Sequence, residues 1–379
     1  MNFDLNDEQR LLAESVSRLM RDHYDFNQRK TYGMSEEGFS PALWQAYADL
    51  GLLALPISEE DGGIGGGPVE IMIIMEAIGR ALALEPYLPH IVMSASLLRH
   101  AASAQQRARL LPGMMDGTSH IVPALSEMAG GYHLCHVGTT AREEAACFRL
   151  DGAKTLVLHG GCARAFLVSA RLEGRPGDQQ GIGLFVVEAD DAGVTRRLYR
   201  TQDGQSAAEL MFADVHVATD MLLACGSDAG PAIARMADEA IAAIAAEAVG
   251  AMDSLVKATV DYLKVRKQFG QVIGQFQALQ HRAADMVVEL EQARSMALYA
   301  TMMSRHENAA ERARAMSSAK VQINRSARLI GQACVQLHGG IGMTMEHPAG
   351  HYMKRLTMIE KTLGDNDFHM DRLAHGTSG

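Results

Sequence analysis

The spacing of apolar residues changes period twice along the chain. From Asp7 onward, Leu11, Leu12, Val16, Leu19 and Met20 recur every three or four residues, the period of a helix with one buried face. Asn6 and Gln9 stand three apart just ahead of that run, a capping-box pattern, so the first helix is expected to begin near Asp7. Helical spacing continues over 41–53, 69–84 and 91–101. The glycine-rich stretch from Asp61 to Pro68 follows no clear strand and lacks the G-x-G-x-x-G order of a nucleotide loop, so a turn ahead of a helix is expected there.

From about 121 to 223 the period falls to two. Short strands are expected over 138–142, 148–150, 155–158, 165–170, 183–188 and 209–217, separated by turn signals such as Asp151-Gly152 and Asp203-Gly204. Past Pro231 the helical period returns in long runs over 232–265, 277–305 and 309–337, of the kind that pack as a bundle. The expected fold class is therefore α+β and multidomain. It has an N-terminal helical domain (1–120), a middle antiparallel β domain (121–225) and a C-terminal four-helix bundle (226–379).

Charge and composition narrow the function. A formal net charge of −10 over 379 residues argues against a general nucleic-acid binder, which needs a basic face. Met1 to Met20 reads as an acidic amphipathic helix, not an export signal, and no apolar run approaches the length of a membrane span. Five scattered cysteines without metal-type spacing fit a reducing, cytoplasmic setting, and His347 and His351 lack a carboxylate partner for a metal, so no metal site is expected.

One residue breaks the helical pattern. On a wheel of the helix from Ala232, the residues Ile233, Ala240, Ile244, Ala251, Leu255 and Tyr262 form a narrow stripe, and Asp238, Glu239, Asp253 and Lys257 are expected to face solvent. Glu247 falls inside the stripe. A carboxylate there must be paired, hydrogen-bonded or neutral, and a buried carboxyl can also exchange a proton near neutral pH. The wheel leaves a structural and a catalytic role equally open.

The segment that ends this helix, Tyr262-Leu263-Lys264-Val265-Arg266-Lys267-Gln268-Phe269-Gly270-Gln271, together with Gln336-Leu337-His338-Gly339-Gly340-Ile341-Gly342 further on, closely resembles the two signatures of the acyl-CoA dehydrogenase family. The resemblance covers essentially the full length. The stretch 354–374 and the early Asn2-Phe3-Asp4-Leu5 resemble the pimeloyl-CoA dehydrogenase small-subunit branch, which acts on dicarboxyl-CoA or similar esters, generally beside a larger sister subunit.

The resemblance implies a bound FAD and an acyl-CoA substrate. It also implies an electron-transfer flavoprotein as acceptor, and either a homo-oligomer or a heterotetramer with the larger sister. It assigns Arg266 to the FAD pyrophosphate, Phe269 to the adenine end, and Gln268 and Gln277 to ribose or phosphate. Gln336 and Gly340 would reach the adenosine portion of a FAD held mainly by a neighbouring subunit. The reaction it implies is α,β-dehydrogenation, in which a carboxylate takes the α-proton and the β-hydride goes to flavin N5.

The sequence departs from the family in places. The C-terminal Tyr-Glu-Gly-Thr that carries the base in many relatives reads Thr362-Leu363-Gly364-Asp365 here, and the base position other relatives use on the earlier helix falls at Ala240. Glu247 is the expected base and Asp365 its shorter alternative; without either, the chain would be a non-catalytic partner completing the FAD site of its sister. At the flavin edge the chain has Leu125-Ser126-Glu127-Met128-Ala129-Gly130-Gly131, in which Ser126 keeps a hydroxyl for the ring. Val157-Leu158-His159 replaces the usual Trp-Ile-Thr.

Overall fold

A computed structural model describes residues 4–376, so Asn2 and Phe3 of the amino-terminal resemblance lie outside the described residues. Six α-helices come first: α1 (Asp7–His23), α2 (Phe26–Met34), α3 (Pro41–Asp49), α4 (Pro68–Ala81), α5 (Ala95–Ala101) and α6 (Ala104–Met115). Seven strands follow: β1 (Ile121–Ala124), β2 (Thr140–Glu143), β3 (Cys147–Leu158), β4 (Ala165–Arg171), β5 (Ile182–Glu188), β6 (Val194–Arg200) and β7 (Ser206–Ala218). The chain then runs through α7 (Gly230–Val265), a hairpin of β8 (Lys267–Gln268) and β9 (Gln271–Val272), α8 (Gln277–Met303), α9 (Ala309–His338), α10 (Pro348–Lys361) and α11 (Asn366–His375). The capping box is present: the Asn6 side chain accepts from the Gln9 amide and the Gln9 side chain accepts from the Asn6 amide.

Contacts divide the chain into two compact units. One holds Met1–Thr31, Pro68–Ala83 and Ile241–Gly379, and the other Tyr32–Gly67 and Leu84–Ala240. The second contains the sheet, ordered β1-β4-β2-β3-β7-β6, with β5 pairing the remaining side of β4. Phe148, Leu150, Phe166, Phe185, Leu210 and Phe212 lie at its core. The sheet is mixed rather than purely antiparallel, because β1 and β2 each run parallel to β4. Asp151-Gly152, expected to be a turn, lies inside β3: the register with β7 shifts there, β7 carrying the extra residue, and a Cβ on Gly152 would come 2.5 Å from the Thr139 hydroxyl, so glycine is what fits. Within the same unit Tyr87–Ser94 forms a π-helix buried along its whole length, where helix spacing alone had been expected to start at 91.

The first unit is helical. Its centre is α7, whose residues from Ile241 to Met252 are all buried, so this stretch has no solvent face at all. α4 crosses α7 at backbone distance: a Cβ built on Gly79 would come 1.9 Å from the Glu247 carbonyl oxygen, and one on Gly250 the same distance from the Glu76 carbonyl oxygen. Only glycine fits at such a crossing.

Candidate functional site

Glu247 is 2% exposed, as its place in the apolar stripe requires. It has a partner that the wheel of α7 could not supply: Arg355 on α10 donates Nε to Oε1 at 2.6 Å and a terminal nitrogen to Oε2 at 2.8 Å. Arg355 is itself 6% exposed. The planar guanidinium thus occupies both carboxylate oxygens in a two-pronged ion pair. On α10 the buried positions His351, Arg355 and Ile359 are spaced by four, so the same wheel argument applied there would have found the arginine. Asp365 caps α11, accepting from the Phe368 amide at 3.2 Å, and lies 3.2 Å from the Lys361 ammonium.

Two other α7 acids contradict the solvent-facing expectation, because segments outside the helix cover positions that the wheel left open. Asp238 is 4% exposed. Glu239 receives Arg99 and His100; burial pushes its carboxyl up, but the His100 hydrogen bond and the Arg99 charge prevail and bring it down to about 2.

The two signature segments converge at one end of the helical unit. Tyr262 near the end of α7 stacks on His338 at the end of α9, with ring centroids 4.7 Å apart and planes 27° apart. Between β8 and β9, Phe269 and Gly270 both have positive φ (54° and 80°), the conformation of a tight hairpin turn, which leaves the Phe269 ring 91% exposed. A bulky residue in this region of backbone space is unusual and holds the ring outward. Arg266, Gln268, Gln277, Gln336 and Gly340 are all exposed, and a Cβ on Gly270, Gly339 or Gly340 would meet nothing within 4 Å. Among the described residues the Arg266 guanidinium has no ion-pair partner. This donor set of a free fork cation, three side-chain amides, an outward aromatic ring and open backbone suits a dinucleotide with a pyrophosphate.

In the sheet-containing unit, Ser126 lines a small hollow with Pro89 and Met93 of the π-helix and with Thr155, Leu156 and Leu158 of β3. Leu156 has φ of 51°, so the strand is locally distorted where it faces the hollow. His159 is turned elsewhere, buried with its ring 6.1 Å from Phe39. Val157 is packed in the core of the sheet. Leu156 and Leu158 therefore take the places at the hollow that alternation alone had not assigned.

Next to Ser126 lies a network that the sequence reading missed. Lys154 is fully buried, and its ammonium donates to Glu127 Oε1 at 2.7 Å, Ser169 Oγ at 2.9 Å and the Leu125 carbonyl at 3.4 Å. Glu127 also accepts from the Gly138 amide at 2.7 Å, the Thr139 amide at 3.0 Å and the Thr139 hydroxyl at 2.8 Å. Burial pushes the Glu127 carboxyl up, but the charge and hydrogen bond of Lys154 and the two amides prevail and hold it below the usual value. Burial likewise brings the Lys154 ammonium down to about 8, against the opposing pull of Glu127. The two expected strands on either side of Lys154 are one continuous β3, which puts the lysine inside a strand.

One group among the described residues, Glu144, Cys147 and His216, brings a Glu, a Cys and a His donor atom within 4.8 Å of one another. Glu144 already faces Arg149 at 3.8 Å, so a resident cation answers its charge. No helix among the described residues is long and apolar enough to cross a membrane.

Comparison with known proteins agrees with this architecture. The chain matches the family models described as acyl-CoA dehydrogenase N-terminal domain over 6–118, middle domain over 123–215 and C-terminal domain over 232–377. Acyl-CoA dehydrogenase FadE12 of Mycobacterium tuberculosis is 30% identical over 342 residues, covering 89% of this chain and 86% of that protein. The probable acyl-CoA dehydrogenase YngJ of Bacillus subtilis is 27% identical, covering 98% of both chains. A solved structure of a variant of the Tcur3481-Tcur3483 steroid ACAD is 30% identical, covers 97% of both chains and superposes with a TM-score of 0.86. This chain belongs to the acyl-CoA dehydrogenase family, a family of FAD-dependent oxidoreductases.

Proposed function

We propose that this chain serves the α,β-dehydrogenation of an acyl-CoA thioester as the flavin-holding subunit of a heteromeric assembly, and that a carboxylate of a sister chain takes the α-proton. The observation that carries this reading is the Glu247–Arg355 pair. To accept a proton, Glu247 would have to give up a guanidinium that engages both its oxygens, breaking a buried ion pair. Asp365 is committed to the start of α11, Ala240 has no acid, and Leu363 stands where many relatives carry theirs.

In this reading Arg266 grips the pyrophosphate, Phe269 covers the adenine, and Gln268 and Gln277 bind ribose or phosphate. Gln336 and Gly340 serve the adenosine portion of a FAD held mainly by the neighbouring chain. Ser126 orients the ring edge. When bound, FAD supplies the hydride acceptor. Leu156 and Leu158 keep the hollow beside Ser126 apolar, which excludes water from the reacting carbons. The Tcur3481-Tcur3483 protein, named for two chains, supports a paired assembly here, and the carboxy-terminal resemblance supports the small-subunit branch. An electron-transfer flavoprotein would take the electrons onward.

A second reading keeps Glu247 as the base within a homo-oligomer, favoured by its burial in the apolar stripe of α7. Anaerobic mixing with a panel of CoA thioesters, including dicarboxylate and steroid side-chain esters, separates the two. The flavin of the chain alone is expected to stay oxidised, and to bleach once the sister chain is added. Bleaching by the chain alone that is lost in Glu247→Gln would overturn the leading reading in favour of the second.

A further inference from the structure

Ser126, which lines the hollow of the sheet-containing unit, is held on both sides by one charge network. Immediately before Ser126, the Leu125 carbonyl accepts from Lys154; immediately after it, Glu127 accepts from the same ammonium. The Ser126 carbonyl itself accepts from the Thr155 amide at 2.9 Å. Three consecutive residues are therefore bound to two consecutive residues of β3. Glu127 extends the hold to the far end of its own loop through the Gly138 and Thr139 amides. Arg171 secures the same loop at the Cys135 and Val137 carbonyls. A rigid shell of this sort is what fixes a hydroxyl to within a fraction of an ångström.

A fully desolvated ammonium tied to a half-buried carboxylate is a costly way to hold a loop. Replacing such a pair with apolar side chains of similar volume is often neutral or favourable for stability, so the pair has no advantage as a mere staple. What it supplies is direction: an ammonium with three separate acceptors and a carboxylate with four donors define one geometry for the loop.

We propose that Glu127 and Lys154 are positioning residues for the flavin, fixing the Ser126 hydroxyl against the ring edge without touching the cofactor themselves. This rests on the assignment of Ser126 to the flavin made above, and the test keeps the two apart. Lys154→Met is examined first without cofactor, by hydrogen exchange at the Thr155 amide, which reports the bond to Ser126. Exchange is expected to quicken by about tenfold or more, the worth of a lost hydrogen bond to a charged group. The affinities for FAD and for ADP are then compared. ADP carries the pyrophosphate and adenosine but no ring, so FAD affinity is expected to fall at least about tenfold while ADP affinity stays put.

The volume-matched double variant Glu127→Gln/Lys154→Met guards against simple misfolding, since it leaves no buried charge unpaired. It is expected to recover the melting temperature but not the FAD affinity. Recovery of FAD affinity in that variant, or equal losses for FAD and ADP in Lys154→Met, would mean the pair only stabilises the fold and would overturn the proposal. Unchanged exchange at Thr155 would overturn the clamp itself. Quickened exchange with unchanged FAD affinity would overturn the role of Ser126, leaving the base assignment untouched.

Discussion

Glu127 is half-buried and Glu247 fully buried, each is answered by a single cation, and they are built differently. Glu127 sits in a loop, and its donors come from nearby in the chain: Gly138, Thr139 and Lys154. Glu247 lies mid-helix and faces one guanidinium brought from 108 residues away. The first pair organises a segment beside a hollow, and the second ties α7 to α10 where α7 has no exposed face. A buried carboxylate is thus ambiguous until its donors are counted. Many local backbone donors mark a device for holding a loop, and one distant planar cation marks a helix-to-helix tie.

The sharpest way to break this comparison is to remove each cation. Arg355→Met leaves Glu247 buried with its charge unanswered, and is expected to lower the unfolding free energy by about 3–5 kcal/mol. Glu247→Met/Arg355→Met should regain most of that loss in denaturant titration. A double variant no better than the single one would show that the tie acts through more than charge.

Lys154→Met should cost less, about 2–3 kcal/mol, because Glu127 keeps its two amides and a hydroxyl. A larger loss here than in Arg355→Met would reverse the ranking of the two pairs.

Acid sharpens the comparison at smaller cost per residue. Burial pushes His90 down to about 3, His120 to about 4 and His369 to about 3. Between these values and the ordinary 6.5, the unfolded chain binds protons that the folded chain refuses, so stability falls as pH falls through this window. Each histidine should cost about 0.7 kcal/mol between pH 7 and 6. The urea midpoint is expected to drop over that unit; a midpoint flat down to pH 5 would place acid sensitivity on the carboxylate pairs instead.

Much of the architecture was legible in period alone. The Asn6–Gln9 cap, the long helices and the shift from helical to alternating spacing are local properties, and local chemistry decides them. What depended on distant partners was not. Gly152 carries the mark of a turn, but pairing with β7 carries β3 straight through it. β6 reads Val-Thr-Arg-Arg-Leu-Tyr-Arg, with too little apolar contrast to stand out, and exists because β7 offers it an edge. Parallel pairing of β1 and β2 with β4 leaves no trace in alternation.

The candidate site divides along the same line. Glu247 stood out on a wheel, but its meaning lay on α10. Asp238 showed the limit of the wheel, since a wheel cannot see what packs over a helix from elsewhere in the chain. The segment around Arg266 and Phe269 was readable only as a family signature, and the hairpin it forms was not expected. Lys154 went unnoticed because it fell between two expected strands, where a lysine passes for a turn residue until its three acceptors are seen.

The fork between positions 247 and 355 also carries a genealogical consequence. Losing either partner alone costs stability, so substitutions at the two sites are expected to travel together through descent, acid with base or apolar with apolar. A lineage that kept the acid while losing the arginine would have freed a carboxylate in a dry interior. Such a lineage is where a new proton-transfer centre on this helix could have arisen.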